Sequence, residues 1–206
     1  MKGRGGHSPT GLTALDAIYT RRSVRSFRTE TIDKETIRGL LDAAVQAPTA
    51  MHMEPWAFVV VRDRAALRRY SDLAKRAWVA DVDAYRDGNV GAVRDAARAF
   101  AEQIASPDFN IFHNATALII ICGKPVGPFV TADCWLAAEN LMLAAAALGL
   151  GSCCVGSALP ALTAPDVRRE LAIPDGYEVV APIVVGVPAD VPPVAVRKDP
   201  EILSWT

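Results

Sequence analysis

The sequence predicts a mixed α/β or α+β fold, in which helices cover both faces of one sheet. With 206 residues, of which 51% are hydrophobic and 22% charged, the chain can bury a sizeable core within a single domain. Short apolar runs predict strands, and several of these runs are too apolar to have a solvated face. Helical patterns separate the strands, as expected when helices pack on a sheet.

The first elements are two helices joined by a basic stretch. A helix is predicted at residues 13–19, followed by an extended segment at residues 21–28. The second helix is predicted at residues 33–46, with Asp33 as its N-cap, and Pro48 stops it.

The remaining elements alternate between strands and helices. The charged helical region is expected to break near residues 87–89, and Pro165 suits the first turn of the last helix. The predicted strands are residues 57–61, 117–122, 152–155 and 178–187, and the predicted helices are residues 63–105, 134–150 and 164–171.

The stretch at residues 134–150 is the most apolar part of the chain. Glu139 and Asn140 interrupt it, and a bilayer centre penalises such groups, so a membrane span is not expected. A helix that is apolar nearly all round has to be covered on every side, by core or by another subunit. In a domain this small the pattern favours a homodimer. Gly149 and Gly151 are expected to end the helix.

The overall charge predicts neither a nucleic-acid nor a membrane partner. The 22 basic and 23 acidic residues nearly cancel, so any anion site has to be local. Residues 1–11 lack the apolar stretch of a signal peptide and are expected to form a flexible tail before one domain at residues 12–206. The four cysteines have no CxxC or zinc-type spacing, so a reducing, cytoplasmic location is expected.

A basic cluster follows the first helix. Guanidinium groups match phosphate oxygens, and each charge-assisted hydrogen bond contributes roughly 1.5–3 kcal/mol. The cluster could therefore hold a phosphate. On composition alone a solvated basic turn is the simpler interpretation, since the arginines at residues 62–69 form a similar group on a predicted helix surface. The cluster consists of Arg21, Arg22, Ser23, Arg25 and Arg28.

Other motifs exclude several classes of enzyme. Gly149 and Gly151 close a helix and open a strand, whereas a Rossmann glycine loop does the reverse. The chain has no Walker A, HExxH or GxSxG sequence, and its three histidines are too scattered to suggest a metal site. Cys153 and Cys154 are adjacent in a predicted strand, so buried inert thiols are expected rather than a redox pair.

Two further segments carry functional residue types. The loop at residues 48–56 holds two prolines, a histidine and Trp56, and its simplest interpretation is a rigid turn with Trp56 in the core. The extended segment at residues 192–201 carries Arg197 and Lys198, and such a segment is normally a solvated end.

Taken together, these segments resemble the nitroreductase family of flavoproteins. Three blocks match in the family's order: RRSVRSF at residues 21–27, APTAMHMEPWAFVVV at residues 47–61 and LAAENLMLAAAALGLGSCCVG at residues 136–156. IVVGVPAD at residues 183–190, with the basic tail, is a weaker fourth match. The resemblance implies an α+β, three-layer α/β/α sandwich with a central, mostly antiparallel sheet and a long buried helix at a dimer interface.

The resemblance also implies an FMN site at the subunit interface. Residues 21–23 and the basic tail would hold the phosphate and ribityl chain, and Arg25 would face the pyrimidine, where a cation stabilises reduced flavin. The partner subunit would supply residues of the 48–52 loop, and residues 155–156 would lie near flavin N5. The implied FMN-binding residues are Arg21, Arg22, Ser23, Arg25, Pro48, Thr49, Ala50, His52, Val155, Gly156, Arg197 and Lys198.

The implied function is that of an FMN-dependent oxidoreductase. NAD(P)H would deliver a hydride to flavin N5 in a ping-pong reaction, and a nitroaromatic, quinone or similar acceptor would then take its place. The flavin carries this chemistry, so neither a catalytic side chain nor a metal is expected. The alternatives are a reductive dehalogenase or ene-reductase on the same fold, a non-catalytic FMN-binding or sensing protein, and a scaffold protein without flavin.

Three positions depart from the family's usual pattern. Ala50, His52 and Glu54 stand where the family often has Ser, Asn and Gln, so a hydroxyl and two amides are missing. These changes concern the flavin ring edge and the acceptor more than cofactor binding, and His52 could donate in place of an amide. The candidates for a lid or for helix core are Trp78, Tyr85, Phe100, Phe109 and Phe112.

Overall fold

The computed structural model describes residues 11–87, 92–190 and 192–206, with the backbone alone at residues 80–87 and 92–98. The predicted N-terminal tail lies outside the described residues except for Gly11. The predicted helix break near residues 87–89 lies outside them except for the helix end at Asp87.

An antiparallel sheet forms the centre of the described chain. Its spatial order is β1-β2-β4-β3, and every neighbouring pair is antiparallel. The central strands β2 and β4 are buried almost throughout, which confirms the prediction of strands without a solvated face. The strands are β1 (Trp56–Val61), β2 (Ala117–Gly123), β3 (Gly151–Cys154) and β4 (Glu178–Gly186).

Helices cover both faces of this sheet. Because side chains alternate along a strand, Ile119 and Ile121 face one core, whereas Leu118 and Ile120 face the other. Helices α2 and α5 contribute to the first core, and α3, α6 and α7 to the second, which confirms the three-layer sandwich. The helices are α1 (Ala14–Thr20), α2 (Lys34–Ala44), α3 (Arg64–Asp87), α4 (Ala92–Ala105), α5 (Val130–Ala147), α6 (Leu159–Leu162) and α7 (Pro165–Glu170).

The helix ends follow local rules. Thr13 caps α1 and forms a reciprocal capping box with Asp16. Asp33 caps α2 by accepting a hydrogen bond from the Thr36 N–H at 2.6 Å, as predicted. Arg62 and Arg64 differ from the predicted helix-surface role, because each donates a hydrogen bond to a backbone carbonyl of the 29–32 segment before α2.

The central helix α5 begins four residues earlier than the predicted start, at Val130. At its other end Gly149 adopts a left-handed φ of 71°, and the Leu150 N–H donates to the Ala145 carbonyl, so Gly149 is a C-cap as predicted. Gly151 instead begins β3. No described helix combines the length and apolar character needed to span a membrane.

Three short elements were not predicted. One is α6, and the others are single 3₁₀ turns at Ala50–His52 and Gly156–Ala158. Both 3₁₀ turns lie in the predicted site blocks, so local backbone geometry there departs from simple strand and loop patterns.

Candidate functional site

The basic segment lies along one edge of the sheet. Ser23 forms a parallel bridge with Ser152 of β3, and the Val24 N–H donates to the Ser152 carbonyl at 3.0 Å. Further on, the Ala189 N–H donates to the Ser26 carbonyl at 2.9 Å. Backbone hydrogen bonds therefore hold the segment in an extended form on which its side chains are presented in a fixed order.

Two glycines make this close approach feasible. A Cβ at Gly151 would lie 2.8 Å from the Cβ of Val24, and one at Gly186 would lie 2.7 Å from Cδ1 of Phe27. Contacts this short cannot accommodate a side chain without movement of the segment. Glycine in strands β3 and β4 therefore sets the position of the basic segment, a role that the sequence analysis did not identify.

The first two arginines are already engaged within the chain. Nε of Arg21 lies 3.5 Å from Oε1 of Glu139 on α5. Nη1 of Arg22 donates to the carbonyls of Tyr19 and Arg21 at 2.8 Å each, and its Nε reaches the carbonyl of Pro193 at 3.3 Å. Arg22 thus ties the start of the C-terminal tail to the basic segment.

Arg25 differs from these two arginines. It is exposed, and within the described ranges it has neither a carboxylate partner nor a hydrogen bond. It borders a hollow of about 350 Å³ that Phe109 and His113 also line. Burial, assisted by the charge of Arg25, lowers the pKa of His113 to about 4, so this imidazole is neutral near pH 7. Arg25 therefore has no direct ion pair among the described residues, and it borders an open space that the carboxylate of Asp108 also lines.

The turn at residues 155–158 follows β3, whose Cys153 thiol lies within electrostatic range of Arg25. The Val155 N–H donates to the Pro182 carbonyl at 2.8 Å, so it is already used. Gly156 is exposed, and a Cβ added there would meet nothing within 4 Å. Its N–H lies within hydrogen-bonding reach of the Cys154 thiol, a weak acceptor that a stronger one could replace. Of the predicted pair, Gly156 is the residue that faces open space.

A row of aromatic rings connects the Gly156 turn with the hollow that Arg25 borders. Nε1 of Trp78 donates to the Ser157 carbonyl at 3.0 Å, beside Gly156. From Trp78 the ring centroids follow at 5.3 Å to Phe100, 6.4 Å to Phe109 and 6.0 Å to His113, all edge to face. The row runs from the Gly156 turn to the hollow at Arg25.

The other two lid candidates are Phe112 and Tyr85. Phe112 is fully buried and belongs to the core beneath α3, as the helix-core interpretation predicted. Tyr85 lies on α3, but its side chain is outside the described residues.

The loop at residues 48–54 is held at another part of the molecule. Its Ala50 N–H lies 3.3 Å from both carboxylate oxygens of Asp133, near the start of α5. Met51, His52 and Glu54 have left-handed φ values of 53°, 53° and 45°. The four residues 51–54 are exposed, whereas Trp56 is buried, as predicted.

The chain therefore brings only part of the predicted site together. The basic segment pairs with β3, the strand that leads into the Gly156 turn, and it also contacts α5 at Glu139. The loop contacts α5 at Asp133, six residues or about 9 Å earlier along the helix axis. Arg197 and Lys198 are exposed on the tail, within about 18 Å of extended chain from Pro193.

The cysteines are all free, and Cys153 is buried while Cys154 is half-buried. Burial raises the pKa of Cys122 to about 11, of Cys134 to about 12 and of Cys154 to about 11, and it also raises the pKa of Cys153. Protonated thiols are weak nucleophiles, so these residues are inert, as predicted. The described ranges hold no group of His, Cys, Asp and Glu side chains suited to a metal ion.

Comparison with known proteins supplies independent findings. The sequence model of the nitroreductase family matches residues 18–187. A protein of Archaeoglobus fulgidus with the provisional name NADH dehydrogenase/NAD(P)H nitroreductase is 31% identical over 85% of this chain and 86% of its own length. A protein of Methanothermobacter thermautotrophicus with the same provisional name is 30% identical over 92% of this chain and 85% of its own.

The fold also matches a solved structure. The crystal structure of a nitroreductase with bound FMN from Bacteroides fragilis has a TM-score of 0.70 and 26% sequence identity to this chain. The match covers 95% of this chain and 97% of that one.

Proposed function

The chain belongs to the nitroreductase family and is an FMN-dependent oxidoreductase; on this premise we propose that it takes electrons from NAD(P)H and passes them to a small organic acceptor, such as a nitroaromatic or a quinone. The names of its two relatives combine NAD(P)H with nitro reduction, which supports this donor and acceptor class. The observation that carries the proposal is the exposed Arg25, which borders an open hollow and has no ion pair among the described residues.

The donor set at the sheet edge fits FMN. A phosphate group favours several cations and N–H donors, and the segment from Arg21 to Arg25 offers three guanidinium groups and a serine hydroxyl. The carboxylate of Glu139 holds Arg21 only at 3.5 Å, so a phosphate can replace it as partner. Arg197 or Lys198, whose tail starts beside Arg22, would complete the charge around the phosphate.

The flavin ring of FMN would need positive charge beside it and protection from water. Bound FMN would supply the redox chemistry, accepting two electrons from NAD(P)H and giving them to the acceptor. Arg25 would hold positive charge at the pyrimidine, where the reduced ring is negative, and the neutral His113 does not oppose that charge. The rings from Trp78 to His113 would limit the access of water on this side of the slot.

We propose that a homodimer completes the site. Helix α5 leaves Trp135 and Leu136 exposed at 42% and 46%, and the loop leaves Met51 exposed at 88%, which are large values for apolar side chains. A twofold axis near the middle of α5 would bring the N-terminal half of one helix against the C-terminal half of its partner. The 48–54 loop of one chain would then approach the basic segment of the other, with Pro48, Thr49, Ala50 and His52 near the flavin.

The first experiment is the visible absorption spectrum of the purified protein, with the released chromophore identified and its ratio to protein measured. Flavin bands with about one FMN per chain are expected, since each chain contributes one basic segment. Anaerobic addition of NADH or NADPH should bleach these bands, and product analysis with nitroaromatic, haloaromatic and activated-alkene acceptors would identify the reaction. A colourless protein that also fails to bind added FMN would contradict the function.

The assignment of Arg25 has its own test. Arg25→Glu should lose FMN or slow its reduction, because it reverses the charge at the pyrimidine end. Full flavin occupancy with an unchanged reduction rate in this variant would refute the role of Arg25.

A further inference from the structure

A buried carboxylate on α5 has no role in the site described so far. Asp133 is only 5% exposed, although it lies in the first turn of a helix that otherwise buries apolar side chains. Both of its oxygens lie 3.3 Å from one backbone donor, the Ala50 N–H, 83 residues away in sequence. A charged group is costly to bury, so its retention here needs a compensating interaction.

The loop that Asp133 contacts is held in an unfavourable conformation. Met51, His52 and Glu54 all have left-handed φ, and Met51 and Glu54 are residue types that rarely adopt it. Such residues cost on the order of 1–3 kcal/mol each and persist only where surrounding contacts fix them.

Two other bonds inside the loop are weak restraints. The Met53 N–H donates to the Ala50 carbonyl at 3.1 Å, and the Glu54 N–H reaches the Thr49 hydroxyl at 3.4 Å. These bonds join loop residues to one another and do not fix the loop to the rest of the fold. The contact from Asp133 does, at the residue where the 3₁₀ turn begins.

We propose that Asp133 is a positioning residue, which anchors the strained 48–54 loop to α5 so that the loop presents its residues to the flavin ring of the partner subunit. This inference rests on the proposed function. Asp133 touches neither cofactor nor acceptor and acts through the Ala50 backbone. Because α5 also carries the exposed face of the proposed interface, one helix would set both the subunit contact and the loop that crosses it.

The test compares Asp133→Ala with Asp133→Asn in flavin-stripped protein. Binding of FMN and of riboflavin is measured by the quenching of free-flavin fluorescence. The alanine variant should weaken the binding of both ligands about tenfold or more, because it removes a charge-assisted acceptor from the loop. Asparagine keeps an acceptor oxygen for the Ala50 N–H and should restore binding to near the wild-type value.

The pair of ligands separates positioning of the loop from general damage. If Asp133 acts on the ring-facing loop, the preference for FMN over riboflavin, which reports the phosphate contacts, should stay unchanged in Asp133→Ala. Asp42→Ala, which removes an exposed carboxylate from α2, is the matched control and should bind both flavins like wild type. If the alanine variant fails to fold, Asp133→Leu replaces it, because leucine fills a similar volume without an acceptor.

Each contrary outcome overturns a defined statement. Wild-type affinity in Asp133→Ala, or loss of affinity in a folded Asp133→Asn, overturns the positioning role. The proposed function is unaffected by either result as long as the wild-type protein binds FMN. Loss of the FMN preference overturns it too, because the effect would then extend to the phosphate site. Failure of the wild-type protein to bind FMN overturns the proposed function and this inference together.

Discussion

At the scale of single residues, the candidate site depends on where charge is left uncompensated. Arg21 and Arg22 have partners inside the chain, whereas Arg25 has none among the described residues. Its neighbour His113 is neutral because burial and the Arg25 charge both oppose protonation. Because His113 is neutral, it does not repel a further cation or ligand beside Arg25. Arg25 is therefore the residue to change when testing how local charge affects the redox potential of the flavin.

Arg25→Gln should lower the midpoint potential of bound FMN. Loss of one nearby positive charge removes on the order of 1–3 kcal/mol of stabilisation from the reduced, negatively charged ring, which corresponds to about 20–65 mV for two electrons. Potentiometric titration of the flavin spectrum measures the shift. Arg25→Lys should keep the potential near wild type, and Arg38→Gln, on the exposed side of α2, serves as the control. An equal shift in both glutamine variants would contradict a local effect.

His113 should make the stability of the protein depend on pH. Its pKa is about 4 in the folded chain and near 6.5 when unfolded, so between these values the unfolded chain binds more protons. The associated stability is fully present above pH 6.5 and is lost as the pH falls from 6.5 through 4. At pH 5 the loss is about 1–2 kcal/mol.

Urea unfolding of the flavin-free protein at pH 7 and pH 5 tests this expectation. His113→Asn removes the titrating group, and asparagine tolerates the left-handed φ of 54° at this position. The free energy of unfolding should fall more in wild type than in the variant between the two pH values. Equal falls would mean that the folded-state pKa of His113 is not depressed.

At the scale of elements, the basic segment and the sheet edge form one unit. The segment adds backbone hydrogen bonds along β3 and beyond the end of β4, and its closeness depends on glycine in both strands. An extended segment of this kind has few contacts of its own, so its position is determined by the surface on which it lies. Small changes in β3 should therefore shift the basic segment and alter its proposed contacts with the FMN phosphate.

Gly151→Ala should displace the segment and weaken FMN binding. The new Cβ would lie 2.8–2.9 Å from three side-chain atoms of Val24, and overpacking of this kind typically costs about 1–3 kcal/mol. Val24→Gly in the same chain removes all three of those atoms and should recover much of the loss. The FMN dissociation constant and the unfolding midpoint are measured for both single variants and the double variant. A double variant as weak as the sum of the single variants would contradict a direct clash.

The elements that could be predicted are those that depend on residues close together in the sequence. The capping role of Asp33 could be predicted because it depends on residues within one helical turn. Strands β1, β2 and β4 could be predicted because their runs of Val and Ile favour an extended backbone. These elements account for most of the fold.

The conformation of the 48–54 loop could not be predicted in the same way. Met51 and Glu54 carry no local signal for a left-handed φ, and the loop's anchor Asp133 is far away in sequence. The early start of α5 has a similar origin. Val130 packs against Gly123 at the end of β2, a contact that hydrophobic periodicity does not report. Contacts between residues distant in sequence therefore determine the conformation of the loop and the start of α5.

At the scale of the whole molecule, the described chain leaves unusual apolar surface uncovered. Tyr19 on α1, Leu136 on α5 and Trp205 near the C-terminus are all exposed, and α1 packs directly against α5. Single exposed apolar residues are common, but a helix face, a loop and a tail together favour association. In the proposed dimer, the same surface would also join the two halves of each flavin site.

Mixing two inactive variants tests whether the site is shared between chains. Arg25→Glu reverses a charge in the basic segment, and Ala50→Trp places a bulky ring in the loop; the mixture is prepared once each homodimer alone retains no FMN after gel filtration. After the two are unfolded and refolded together, half of the dimers contain one chain of each kind. In a shared site, one of the two sites in such a dimer combines an intact basic segment with an intact loop.

About a quarter of all sites should then bind FMN, measured as flavin bound per chain after gel filtration. If instead the basic segment and the loop of the same chain formed one site, each mixed dimer would carry two damaged sites and recovery would be absent. Native mass spectrometry of the refolded mixture verifies that mixed dimers have formed. Their presence without bound flavin would mean that the 48–54 loop serves its own chain, and the exposed face of α5 would need another explanation.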